Sequence, residues 1–502
     1  MTYALSIPRP TLRPWRWLAT RLGLAAALAG FADFLFCWRI PGLSLALFLG
    51  ALGLVSLAVN PRRASRQTTF AALAFLAVNL LAIVEEVNAL SFILSVLGTI
   101  VFALVVAAPD ATRWRGLPGR TFLSLFAGPF LLLMDTLRVS RQAARRGDRL
   151  TFASTSLTWV LPATLFSIFV YLFAQANPIV ESWLAALDLR LLIELFKDGR
   201  PLFWLFIICL IWPLLRVRSA RQQERGRWRP VKPVNDGDLF GATAFTRSLV
   251  MLNALFALQT ALDLAYLWGG LALPHGMSYA AYAHRGAYPL VITASLAAVI
   301  VLLAMRPGGP AESARIVRPL VLAFTAQNIL LVMSSMLRLK LYVEAYSLTN
   351  WRLTAFIWFV LVAFGLLSIV AQILLGKSSP WLLRANVGAL VVTLYLCCFL
   401  NFPWIIADYN VDHSLEMTGA GPHLDFCYLQ SLGPHVIPAL DRVGWPSGPY
   451  ARGPRDVLYA RNMESLEDWR GFGFAAWRLR QYLAEQPQSP KTVYVKNCHT
   501  SD

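Results

Sequence analysis

Apolar runs of about 20 residues recur along the chain, separated by short polar connections rich in arginine. The runs fall near 18–38, 42–59, 69–87, 91–108, 154–175, 201–217, 242–268, 287–305, 317–337, 352–375 and 383–402. At ~1.5 Å per residue, an apolar helix of this length matches the ~30 Å hydrocarbon layer of a bilayer. A helix also satisfies every backbone N–H and C=O internally, as a water-free layer requires. The pattern predicts an all-α integral membrane bundle of about 11 transmembrane helices.

One further run, TFLSLFAGPFLLLMDT at 121–136, is short and broken by Gly128-Pro129. The cationic RVSRQAARRGDRL follows it directly. If this run crossed, its arginines and all later clusters would change sides. An interfacial or re-entrant helix is the simpler expectation.

Basic residues then sort by side. Arg62, Arg63, Arg66, the segments 113–149 and 216–232, Arg306, Arg315, Arg318, Lys377 and Arg384 share one face. The other face receives few cations, among them Arg39, Lys197, Arg285, Arg338 and Lys340. The positive-inside rule makes the first face cytoplasmic. The expected organisation is a basic cytoplasmic N-terminus at 1–17 and a polytopic membrane domain at 18–402, with cytoplasmic connections 109–150 and 216–238. A small, mostly helical extracytoplasmic domain at 403–502 completes it. This is the layout of a bacterial inner (plasma) membrane protein whose C-terminal part lies in the periplasm. Within that part, Trp469, Phe472, Ala476 and Leu479 recur at helical spacing, and KTVYVKN reads as one short strand.

Composition supports this class. The 502 residues are 57% hydrophobic and 14% charged, far below the roughly 25% charged residues that a soluble surface carries. The net charge of +18 lies beside apolar segments, so it points to anionic lipid headgroups and not to nucleic acid. Cys37, Cys209, Cys397 and Cys398 lie in apolar runs as small fillers. Cys427 and Cys498 lie in the polar C-terminal part, where an oxidising compartment would permit a disulfide. His423, Cys427, His435, Cys498 and His499 have no recognised metal-ligand spacing, so neither a metal nor a cofactor is expected.

Candidate chemistry collects on the outer face. RLKLYVEAYSLTNWR, residues 338–352, packs cations, a carboxylate and tyrosines between two apolar runs. If the preceding helix continues through it, Arg338, Tyr342 and Tyr346 share one face and Lys340 pairs with Glu344 on another. SLTN then breaks the helix and Thr349 caps the next. Arg285, Arg338, Tyr342 and Arg352 form a candidate anion- or ligand-binding rim, since arginine is suited to phosphate and carboxylate. Asp33, His284, Glu344, Asn410 and Asp412 are its candidate polar partners. The plainer reading of the same stretch is an interfacial belt of aromatic residues with snorkelling cations. No catalytic residue can be named, because phosphate-binding loops, dinucleotide fingerprints, HExxH and nucleophile elbows are all missing from the sequence.

Three ordered elements carry a resemblance. YAAYAHRGAYPL, RLKLYVEAYSLTNWR, and ADYNV followed by LDFCYLQSLGPHVIPAL resemble bacterial membrane proteins of the domain of unknown function 4173, which overlaps family 4153. Ser347 stands where that pattern leads one to expect glycine, and Ala287 where an aromatic is usual. The resemblance implies a multi-pass membrane protein and supplies no catalytic residues. Three functions follow as expectations: an envelope scaffold, sensor or assembly factor with an envelope protein partner; a transporter of an anionic or lipid-like solute; or a membrane transferase using a lipid-linked substrate. The short outer connection CWRIPG leaves little room for a catalytic loop, and no paired broken helices in repeated halves are visible. The first class is favoured.

Overall fold

The computed structural model describes residues 14–37, 39–60, 64–107, 121, 127–145, 199–217, 242–269, 316–447, 454–466, 468–486 and 492–494. It is a helical protein. Among the described residues, seven helices are long and apolar enough to cross a membrane, and Leu43–Val59 and Arg200–Leu215 are shorter apolar helices. The seven coincide with seven of the eleven expected spans, the spans expected at 42–59 and 201–217 form the two shorter helices, and those expected at 154–175 and 287–305 lie outside the described residues. The chain divides into two compact units: residues 1–227 with 465–477, and residues 228–464 with 478–502.

The first unit contains α1 (Pro14–Phe36), α2 (Leu43–Val59), α3 (Arg66–Glu85), α4 (Ala89–Ala107), α5 (Gly128–Arg145) and α6 (Arg200–Leu215). Ser65 caps α3 by accepting from the Thr68 amide at 3.1 Å. The α3–α4 hairpin closes tightly: Asn79 donates to the Ser95 carbonyl at 3.1 Å, and a Cβ on Gly98 would sit 2.5 Å from the Asn79 side chain. The expected break at Gly128-Pro129 is the start of α5, and the arginines that follow extend the same helix to Arg145. Leu132, Asp135 and Val139 fall on its buried face, while Phe130 is exposed.

Two details fix α5 and α6. Pro213 lies inside α6 and supplies no amide to the Cys209 carbonyl. Gly128 approaches that carbonyl so closely that a Cβ would lie 1.8 Å from its oxygen. The end of α6 is capped by side chains. Ser56 and Asn60 donate to the Leu214 carbonyl at 2.8 and 2.7 Å, and Arg21 Nε donates to the Leu215 carbonyl at 2.8 Å. Asp135 takes Arg216 at 2.5 Å, so both buried charges are paired. Leu28, Leu35, Leu49, Ile211 and Trp212 pack in the core alongside.

The second unit starts with α7 (Ala242–Leu262), which continues as a π-helical turn over Asp263–Trp268. It continues with α8 (Val317–Tyr346), α9 (Asn350–Leu374) and α10 (Ser379–Cys397). Asn253 reaches the Leu320 carbonyl and Trp268 reaches Ser334, so α7 and α8 run parallel. Short elements follow: α11 (Phe402–Asp412), α12 (Leu415–Thr418), α13 (Phe426–Ser431), α14 (Ile437–Val443), β1 (Trp445–Ser447), α15 (Pro454–Leu466), α16 (Phe474–Glu485) and β2 (Thr492–Tyr494). β1 and β2 pair in parallel, with Trp445 opposite Thr492. Ile406, Val411, Leu429, Ile437, Leu440 and Trp445 form the core of this C-terminal region, and Val343 and Leu348 of the membrane hairpin belong to the same cluster. The packing core therefore crosses the boundary expected at residue 403.

Candidate functional site at the α8–α9 junction

The polar stretch 338–352 is not a loop. α8 runs through it to Tyr346, three residues turn the chain, and α9 begins at Asn350. The turn depends on Ser347, which stands at φ 67° and ψ 167°, backbone space that glycine alone enters without penalty. Thr349 caps α9 by accepting from the Arg352 amide.

Each candidate residue has a definite place. Arg338 is buried and paired with Asp263, itself 1% exposed, on the π-helical turn. Gln259 donates to the same carboxylate oxygen at 2.8 Å. Arg352 donates to the carbonyls of Tyr346, at 2.5 Å, and Ser347, and its guanidinium stacks 4.3 Å from the Tyr342 ring centroid. It thus closes the C-terminus of α8, where a cation complements the helix dipole. Tyr342 packs on Tyr346 with centroids 5.0 Å apart. Lys340 and Glu344 form the i,i+4 pair at 3.7 Å on the exposed face, a contact worth a few tenths of a kcal/mol.

Asn410 anchors the turn to α11. Its oxygen accepts from the Leu348 amide at 2.6 Å and its nitrogen donates to the Leu348 carbonyl at 2.9 Å. The Tyr428 hydroxyl accepts from the Asn350 amide at 2.8 Å. Burial pushes the Tyr428 phenol up and the Asp425 charge adds to that, while the Asn350 N–H and the Arg352 charge oppose it. Asp412 and Asp408 hold the two arms of Arg442 at 2.8 and 2.6 Å. Asp33 lies in the first unit, near the end of α1, with one buried oxygen lacking a hydrogen-bond partner. His284 and Arg285 lie outside the described residues.

Two groups of functional interest have no sequence signature in the outer-face pattern. The first is Asp263: its second oxygen is buried without a partner, as are the oxygens of Asn253 and Asn328. Both asparagines already donate their nitrogens to backbone carbonyls, so the remaining atoms are acceptors. A lone carboxylate inside the 242–268 run was the available signal. The second is Asp441, which accepts from Trp445 at 2.5 Å, from Arg455 at 2.9 and 3.0 Å, and from Tyr482 at 3.2 Å. The Asp441 bonds hold Arg455 charged, and burial beside Asp441 pushes the Tyr482 phenol up to about 12. No local motif announces that set, which joins α14, β1, α15 and α16.

Among the described residues, Cys37, Cys209, Cys397 and Cys398 are free thiols. Cys427 is disulfide-bonded, and Cys498 lies outside the described residues. Among the described residues, no group of three or more His, Cys, Asp or Glu side chains is placed to hold a metal ion.

Helices of this length and apolarity, linked by charged junctions, define a multi-pass α-helical membrane protein. Residues 49–443 match the model of the domain of unknown function 4153, and the chain belongs to that family. No curated protein and no solved structure matches the chain.

Proposed function

We propose that this protein is a bacterial envelope scaffold or assembly factor of the inner membrane, in which the membrane helices carry a rigid extracytoplasmic C-terminal platform for a protein partner. The observation that carries the reading is the fate of the junction residues. Arg338, Arg352, Asn410 and Asp412 each bind a partner within the chain: Arg338 ties α8 to the π-helical turn, Arg352 closes the end of α8, Asn410 ties the α8–α9 turn to α11, and Asp412 ties α11 to α14. A rim built to take an anion would aim those guanidinium groups at solvent or a cavity. The disulfide at Cys427 supports the outward orientation, since such bonds persist in oxidising compartments. On the platform, Val457 and Tyr459 of α15 are exposed large side chains available to a partner.

The test is a photo-crosslinking amino acid placed at position 457 or 459 of the full chain in living cells. A discrete protein adduct of one mass is expected from both sites, and none from the exposed membrane-helix position 264. Adducts of no defined mass would remove the platform reading.

Transport is the second reading, and a separate observation favours it. The unpartnered oxygens of Asp263, Asn253 and Asn328 suit a solute that donates hydrogen bonds rather than an anion. Under that reading Asp263→Asn abolishes function in cells while the 457 adduct is unchanged. Under the platform reading, function survives wherever the folded protein does.

A further inference from the structure

Residues 465–477 belong to the first unit, although they lie close to the end of the chain. Their placement is specific. Phe472 accepts at its carbonyl from the Leu43 amide at 2.8 Å, so the segment caps the start of α2. Gly471 lies against Gly42, where a Cβ on Gly42 would sit 2.3 Å from the Gly471 carbonyl carbon. A Cβ on Gly473 would lie 3.3 Å from the carbonyl oxygen of Glu85, the last residue of α3. Asp468 takes Arg39 at 3.1 Å and Arg470 at 2.8 Å. The Arg470 guanidinium lies 4.3 Å from the ring centroid of Phe34, two residues before α1 ends.

These contacts set the segment's depth. α3 is 20 residues long, about 30 Å at the α-helical rise, which is the thickness of a hydrocarbon layer. A chain that touches the last residue of α3, the first of α2 and the last turn of α1 therefore lies at the level of the lipid headgroups. At that level Trp469, Phe474 and Trp477 are 49%, 43% and 39% exposed. Three large aromatic side chains left uncovered within nine residues are costly in water. Amphipathic indole rings are at home in the interfacial region, with the ring among glycerol and acyl carbonyl groups and the N–H still able to donate.

We propose that Trp469, Phe474 and Trp477 form a membrane anchor seated in the headgroup and glycerol region of the phospholipid leaflet at that end of the first unit. The segment clasps α1, α2 and α3 through its backbone and presents its aromatic side chains to lipid. The proposal does not depend on the partner-docking reading, which rests on other residues.

The test uses the full chain reconstituted in vesicles of phosphatidylethanolamine and phosphatidylglycerol. An environment-sensitive fluorescent amino acid replaces Trp477 in one preparation and Phe474 in a second, with thermal unfolding as the check on folding. Blue-shifted emission is expected, quenched about threefold more by a phospholipid with its nitroxide near the headgroup than by one labelled at the chain end. Water-like emission without lipid quenching would overturn the proposal. So would blue-shifted emission without lipid quenching, which marks cover by protein. If one replacement fails to fold, the other site decides.

Discussion

Ser347 shows how much a single residue is held by its surroundings. At φ 67° and ψ 167° a serine is strained by about 1–3 kcal/mol, and the bonds from Arg352 and Asn410 on either side keep it there. Ser347→Gly removes the strain and costs only some unfolded-state entropy, so a gain of about 1 kcal/mol is expected. Thermal unfolding in detergent measures it, and no gain would mean that the turn is not strained. Tyr482 gives a second residue-level prediction. Its folded value of about 12 lies above the ~10 of an unfolded phenol, so the folded state holds its proton more tightly. Its contribution is complete below pH ~10 and is lost as pH rises through the window to about 12. Tyr482→Phe should flatten the fall in stability over that window; an unchanged slope would assign the loss to other groups. Ser347 could be noticed in the sequence only through the family resemblance. Tyr482 could not, because its shift arises from tertiary burial first and then from Asp441, 41 residues earlier in the chain.

Individual helices carry constraints that no single residue shows. At the α5–α6 crossing, Gly128→Ala puts a methyl group into the Cys209 carbonyl, and an overpacking loss of about 1–3 kcal/mol is expected. Protease resistance of the first unit would report it, and a wild-type result would show that the helices can move apart. α7 and α8 are joined by the buried Asp263–Arg338 pair. Removing one charge strands the other, so Arg338→Ala should cost about 3–5 kcal/mol, while Asp263→Leu with Arg338→Met should recover most of it. Equal losses in the single and double variants would show that the pair is not coupled. The helices themselves were legible because length and apolarity decide whether a segment can span. Thr349 as a cap and Gly128-Pro129 as a break were legible because their chemistry acts within a turn of chain. The partner of Arg338 was not: it lies 75 residues away, on a π-helical turn that leaves no mark in the hydrophobic pattern.

At the scale of the molecule, orientation links charge, redox chemistry and function. The proposed orientation puts the C-terminal region outside the cytoplasm, where a disulfide at Cys427 would persist. Charge acts during insertion and a disulfide depends on the final compartment, so one labelling experiment tests the proposed orientation on both grounds. Cys397 and Cys398 are buried and Cys37 and Cys209 half-buried, so Cys37→Ser with Cys209→Ser supplies the background for labelling. In spheroplasts of the producing strain, a membrane-impermeant maleimide should leave Cys427 unlabelled. Brief reduction from outside should then expose it, and Cys427→Ser should remove that new label. Labelling without reduction would show that the bond does not form in cells. Labelling only after lysis would place the C-terminal region in the cytoplasm, and the platform would then face a cytoplasmic partner. External reduction followed by external labelling is the one outcome that fits both the charge asymmetry and the disulfide, because it requires the oxidised pair and an outward position in the same molecule.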